Sequence, residues 1–150
     1  MMAKIVAFHG ADHKCGVSQT AQGVAEMIAE LAPSSRILLL HSEGRLGLDY
    51  SMGAGLSICD IQSYLRESAA AEEIKERARW RANIHIIGGD PRPDSIEHYE
   101  PEDIGVFIRN MQRYFDLVIC DSGAEIGHPL SLGSLLCADG VYIFLRQSEI

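Results

Sequence analysis

KIVAFHGADHKCGVSQTA, residues 4–21, is the stretch on which the fold turns. Residues 4–9 form a short, mostly apolar run that ends on Gly10, the pattern of a buried strand. A loop containing glycine, histidine and lysine follows. From Ser18 onward the apolar residues Ala21, Val24, Ala25, Ile28 and Leu31 recur at spacings of three and four, which predicts a helix. Pro33, Ser34 and Ser35 stop it. A strand, a glycine-containing loop and a helix N-terminus make a cradle for an anion in principle, because free backbone N–H groups and the helix dipole both favour negative charge there.

The same alternation continues along the chain. Residues 36–40 (RILLL) predict a second buried strand, and residues 41–55 hold four glycines and predict a loop. Ser57 can cap a helix carrying Ile58, Ile61 and Leu65. Residues 69–81 read as a charged helix in which Glu73 and Arg77 pair at i,i+4. Its Lys75, Arg77, Arg79 and Arg81 are interleaved with Glu72, Glu73 and Glu76, so a solvated face explains them better than a binding patch. Residues 84–87 (IHII) predict a third strand. Pro101 opens a helix with Ile104, Phe107, Ile108 and Met111 on one face. Residues 117–120 (LVIC) predict a strand ending at Asp121, residues 130–137 a short apolar helix, and residues 141–145 (VYIFL) the fifth strand. Strands that are apolar on both faces and alternate with helices predict a three-layer α/β/α domain with a mostly parallel sheet, spanning residues 1–150 as one unit. In such sheets a ligand sits beyond the carboxyl ends of the strands, where residues 10–18, 41–44 and 121–123 gather.

Bulk properties narrow the function. Thirteen Lys and Arg against 21 Asp and Glu leave a net charge of −8, which gives no general attraction to nucleic acid or to an anionic membrane. Cys15, Cys59, Cys120 and Cys137 lie far apart without a C-x-x-C pair, so reduced thiols in a cytoplasmic protein are expected. The start, MMAKIVAFHG, has no long apolar stretch; neither a signal peptide nor a transmembrane segment is expected.

Four stretches taken together carry a resemblance. GADHKCGVSQTA (residues 10–21) resembles, without a gap, the phosphate loop of the MinD/ParA group of P-loop ATPases, which typically reads GAKGGVGKTTTA. RILLLHSEGRLG (residues 36–47) resembles the family's switch strand, KVLLIDLDPQ or DLDLRFG. NIHIIGGDP (residues 83–91) resembles its NLYLLPGG strand, and residues 114–149 resemble RFDYVIIDTPP…AD.VLLVVEPE. The likeness covers nearly the whole chain in the correct order. GRLGLDYSMG (residues 44–53) is most similar to the pilus-positioning TadZ/CpaE branch.

The resemblance implies ATP or ADP with Mg²⁺ as ligand, held by Gly10, Lys14, Cys15, Gly16, Val17, Ser18 and Gln19. It implies Ser18 and Asp121 as the Mg²⁺ ligands, with Glu43 and Asp121 in catalytic positions. It also implies a homodimer and a protein partner in a positioning or assembly system. Yet the family's signature lysine position holds Asp12, its main phosphate-binding lysine position holds Val17, and its two loop glycines are His13 and Lys14. A two-residue gap would instead align Lys14 and Gln19 with the two lysines, at the expense of an insertion in a tight turn. In the switch strand the paired aspartates become His41 and Glu43, while Asp121 is kept. Members of the family are substantially longer, so the chain is either the N-terminal part of a longer protein or a reduced one. Exchanging Lys for Asp turns an attraction of about 1–4 kcal/mol at 4 Å into a repulsion. The expectation is therefore a weak nucleotide-binding switch with little or no ATP hydrolysis, the alternative being a scaffold module with a vestigial phosphate site.

Bland readings stand beside these. His13, Cys15, His41 and Asp121 could meet as borderline metal ligands, although no pair has a standard spacing. His9 and His85 read as core or edge histidines. Glu43, a lone acid in a glycine-rich loop, is as readily explained as solvated, and Asp121 could cap the following turn.

Overall fold

Strand β2, Ile37–His41, is buried at every position and lies inside the sheet of the computed structural model, which describes residues 3–12, 15–41, 79–81, 83–87, 100–124, 127 and 129–145. Its side chains alternate between two cores. Leu38 and Leu40 join one cluster and Ile37 and Leu39 the other. That two-sided burial is why the strand reads as an unbroken apolar run. Each fully buried Leu or Ile contributes roughly 1.5–3 kcal/mol.

The described strands are β1 (Lys4–Gly10), β2, β3 (Arg79–Arg81), β4 (Ile84–Ile87), β5 (Leu117–Asp121) and β6 (Gly140–Phe144), forming one sheet in the order β3-β4-β2-β5-β1-β6. β4, β2, β5, β1 and β6 are parallel; β3 runs antiparallel to β4 at the edge. The five expected strands are all present, shifted by at most one residue at an end. β1 and β5 are direct neighbours, with Phe8 opposite Asp121.

Three described helices cover the sheet. Helix α1, Val17–Leu31, packs Val17, Ala21 and Ala25 against Phe8, Ile37, Leu39, Ile84, Ile86 and Ile119. Leu31, expected on that inner face, is 79% exposed at the last position of the helix. Helix α2, Pro101–Met111, and helix α3, Pro129–Cys137, cover the opposite face, where Ile104, Phe107, Ile108 and Met111 meet Ile5, Leu38, Leu40 and Val118. The layers are thus α1, sheet, and α2 with α3, as the sequence predicts.

One expectation is overturned. Residues 79–81, assigned above to the end of a charged helix, form the edge strand β3. Asn83 lies in the turn into β4, which begins one residue later, and pairing with that edge satisfies backbone groups that a helix end would leave open. The rest of that predicted helix, and the helix predicted after Ser57, lie outside the described residues. Asn83 also ties this corner to α1: its side-chain amide donates to the carbonyls of Ser35 at 2.7 Å and Ala32 at 3.3 Å.

Candidate functional site at the carboxyl edge of the sheet

β1 ends at Gly10, and the chain there turns back on itself. A Cβ at Gly10 would come within 2.9 Å of the Asp12 carbonyl oxygen and 3.1 Å of Val17 Cγ2, so only glycine leaves room for the turn. The Gly10 N–H donates to the Gly123 carbonyl at 2.8 Å, and the Ala11 N–H to that of Phe144 at 2.9 Å. These bonds tie the loop to the ends of β5 and β6. Gly16, in the left-handed conformation at φ 79°, starts α1, and its carbonyl accepts the Thr20 N–H at 3.0 Å. No side chain caps the helix, and its first turn carries no acidic residue. A helix start without a side-chain cap, together with the helix dipole, favours an anion there.

The expected ligands divide. Gly10, Cys15, Gly16, Val17 and Ser18 share this one turn, with Ser18 half-buried and Gln19 exposed. Val17 is 7% exposed, and its side chain belongs to the core under α1. Asp12, at the signature lysine position, is exposed. Lys14, His13 and Glu43 lie outside the described residues, as do residues 44–53, which carry the TadZ/CpaE likeness.

Asp121 closes β5 and is wholly buried. Its Oδ1 accepts the Gly123 N–H at 3.2 Å, the turn-capping role weighed above, and Gly123 takes a positive φ of 60°. Its Oδ2 lies 2.8 Å from Nδ1 of His41, whose side chain is 1% exposed. The two atoms are close but not aligned as a hydrogen bond. The sequence places these residues at neighbouring strand ends; the β2–β5 ladder puts them opposite each other.

Mg²⁺ takes oxygen ligands in near-octahedral geometry at about 2.0–2.1 Å. Of the two residues expected to hold it, Asp121 is wholly buried, with Oδ1 accepting the Gly123 N–H and Oδ2 beside His41, while Ser18 is half-buried at the start of α1. Among the described residues no group of three or more His, Cys, Asp or Glu side chains could hold a metal ion.

Sequence reasoning missed two buried serines beneath the site. The Ser131 hydroxyl donates to the Ser122 carbonyl at 2.6 Å and pins α3 to the end of β5. Ser131 follows Pro129 at the helix start, which is the only signal the sequence offers. His9 and His85 are buried, as expected, and His85 packs edge-on against Phe115. Among the described cysteines Cys15, Cys120 and Cys137 are free thiols. Burial pushes the Cys120 thiol well up and the Cys137 thiol up, which makes both poor nucleophiles.

No family model matches this chain, and no curated protein matches it in sequence. Solved structures do match. A ParA family ATPase from Chlorobium tepidum TLS superposes with a TM-score of 0.78 at 21% identity, over 94% of this chain and 60% of that one. The septum site-determining protein MinD from Pyrococcus horikoshii OT3, complexed with Mg-ADP, gives 0.73 at 13% identity, over 95% and 58%. Cobyrinic acid a,c-diamide synthase from Mycobacterium smegmatis, with bound ADP and magnesium, gives 0.73 at 17%, over 96% and 60%. The chain thus spans about three-fifths of the length of these proteins. By these superpositions the chain has the fold of the MinD/ParA-type P-loop ATPases.

Proposed function

We propose that this chain is a weak nucleotide-binding switch or positioning factor that hydrolyses ATP poorly or not at all. The observation that carries the reading is the β1–α1 turn, where Gly10 and a left-handed Gly16 aim uncapped helix N–H groups at the sheet edge while Val17 turns into the core. Backbone donors need no particular side chain, so phosphate binding survives substitutions that remove cations. Phosphoryl transfer is different, because it depends on positive charge around the transferred group. Val17 supplies none, Asp12 has the wrong sign, and Lys14 is the only lysine or arginine between Gly10 and Ala21. The nucleotide-bound neighbours support ATP or ADP as the ligand class. A cytoplasmic location and action through a protein partner belong to the same proposal. Thermal unfolding with and without ADP tests it: a ligand at 100 times its Kd raises stability by about 2.7 kcal/mol. A midpoint unmoved by ADP or ATP at saturating concentration would sink the reading.

A second reading, a scaffold module with a vestigial phosphate site, is favoured by one feature. β6 exposes Val141, Tyr142 and Ile143 beside an apolar groove of about 570 Å³ running between α1 and the sheet edge. Association that proceeds equally with and without nucleotide would support it.

A further inference from the structure

Helix α1 carries two apolar stripes. Val17, Ala21 and Ala25 form the inner one and are buried against the sheet. Thr20, Val24, Met27 and Leu31, spaced four, three and four residues apart, form a second along the side of the helix. Met27 and Leu31 are 62% and 79% exposed, so this stripe is left largely to solvent.

The second stripe borders the groove of about 570 Å³, which is lined by Val24 and Ile28 of α1, Val6 and Phe8 of β1, and Tyr142 and Phe144 of β6. A parallel sheet is ordinarily covered by helices on both faces. Here α1 lies mainly over β2 and β5, and no described helix covers β1 and β6 beside it. Two strands give roughly 10 Å of floor. Packed helices lie about 8–10 Å apart. The 15 residues of α1 make a wall about 22 Å long. The groove thus has the width and length of one helix.

Charge narrows the occupant. β6 has no charged residue, and α1 has Glu26 and Glu30 alone. At about 100° per residue both fall beyond Met27, on the side of the stripe away from the sheet. Lys4 leaves β1 on the same face as Val6 and offsets one of these charges. The wall along α1 is therefore edged with acid, in a chain of net charge −8. Two copies packed through this face would bring their glutamates together, whereas a basic partner would complement them.

We propose that the groove between α1 and β6 docks an amphipathic helix of a partner protein, its apolar face on Phe8, Val24 and Ile28 and its lysines or arginines beside Glu26 and Glu30. This is recognition of a helix by an apolar groove, and it uses the face of the sheet, not the edge of β6. The inference rests on the reading above that the chain acts through a protein partner.

The test is fluorescence anisotropy of a labelled 14-residue peptide of leucine, alanine and lysine, its leucines at helical spacing, titrated with the intact chain. Saturable binding is expected, at least about tenfold tighter than for a scrambled peptide of the same composition or for an analogue with glutamate in place of lysine. Val24→Glu should weaken it by about tenfold or more, although the added carboxylate would strengthen a merely electrostatic attraction. Thr20→Glu, at an exposed position lining the same groove, gives the same reading if Val24→Glu does not fold. Glu30→Lys should weaken binding several-fold. Equal binding of the scrambled peptide, or affinity unchanged by the folded groove variant, overturns the inference. So does a chain that takes the peptide only once Ile143→Lys has made it monomeric, because a second copy is then the occupant. Absence of peptide binding removes this groove as the docking site, while action through a partner is judged separately by nucleotide-independent association.

Discussion

Gly16 and Gly10 do different work within one turn. At Gly16 a Cβ would meet nothing within 4 Å, so its substitution is limited by backbone conformation alone. A left-handed residue other than glycine costs roughly 1–2 kcal/mol. Gly16→Ala should lose about that much in urea unfolding, and Gly16→Asn less, because asparagine tolerates this region better. At Gly10 the limit is steric, since a Cβ would lie 2.9 Å from the Asp12 carbonyl oxygen and 3.1 Å from Val17 Cγ2. Gly10→Ala should therefore be the more damaging of the two, and it should displace the loop as well as weaken the fold. Asp116 shows how charge acts at this scale. Its Oδ2 accepts the Arg36 N–H at 2.7 Å, and this bond, followed by the Arg36 side chain, lowers its pKa below the ordinary 3.8. A depressed carboxylate pKa stabilises the fold fully above the unfolded value and loses that contribution as pH falls through the folded one. Asp116→Asn should thus be less stable than wild type at neutral pH. The gap should narrow in acid below about 3.8, as urea midpoints measured across that range will show. Exposure of both side chains keeps the effect small.

Among the described elements, α2 and α3 approach each other closely at Gly133. A Cβ on Gly133 would fall 2.6 Å from the Pro101 carbonyl oxygen and 2.7 Å from Ile104 Cβ, both on α2. Two helices cannot cross that closely with a larger side chain between them. Gly133→Ala should cost about 1–3 kcal/mol, the usual penalty of overpacking, read from its thermal midpoint. Strands and helices of this kind were legible in the sequence because buried strands show as unbroken apolar runs and helices as recurrence every three to four residues. Residues 37–41 and 101–111 follow those rules closely. Residues 79–81 did not, since a three-residue edge strand is decided by pairing with β4 and leaves no period to read. The site was legible in part. The turn, Asp121 and the nearness of His41 could all be placed. That His41 faces Oδ2 at 2.8 Å depends on the register of β2 against β5, which lie far apart in sequence. Gly133 likewise carries no local signal, because what forbids a side chain there is another helix.

On the scale of the whole molecule, β6 stands out as a sheet edge that is not blunted. Val141, Tyr142, Ile143 and Leu145 are 43%, 59%, 55% and 78% exposed, and no charged residue interrupts them. Its inner end is firmly docked, with the Asp139 carboxylate accepting the Ile5 N–H at 2.8 Å and Phe8 holding Tyr142 and Phe144 edge-on. An apolar edge with no further strand beside it among the described residues favours pairing with another strand. We therefore expect a homodimer, with light scattering at rising concentration approaching twice the 16.5 kDa chain mass. Two routes to a dimer are open: through β6, or face to face across the nucleotide edge as the family resemblance implies. Ile143→Lys separates them. A charge on an exposed edge position should scarcely change the stability of the monomer, typically within about 0.5 kcal/mol, yet it opposes strand pairing. Return to the monomer mass in this variant assigns the interface to β6. A dimer that survives the substitution and tightens with ADP assigns it to the nucleotide edge. A wild-type chain that stays monomeric at high concentration, with and without ADP, rules out both.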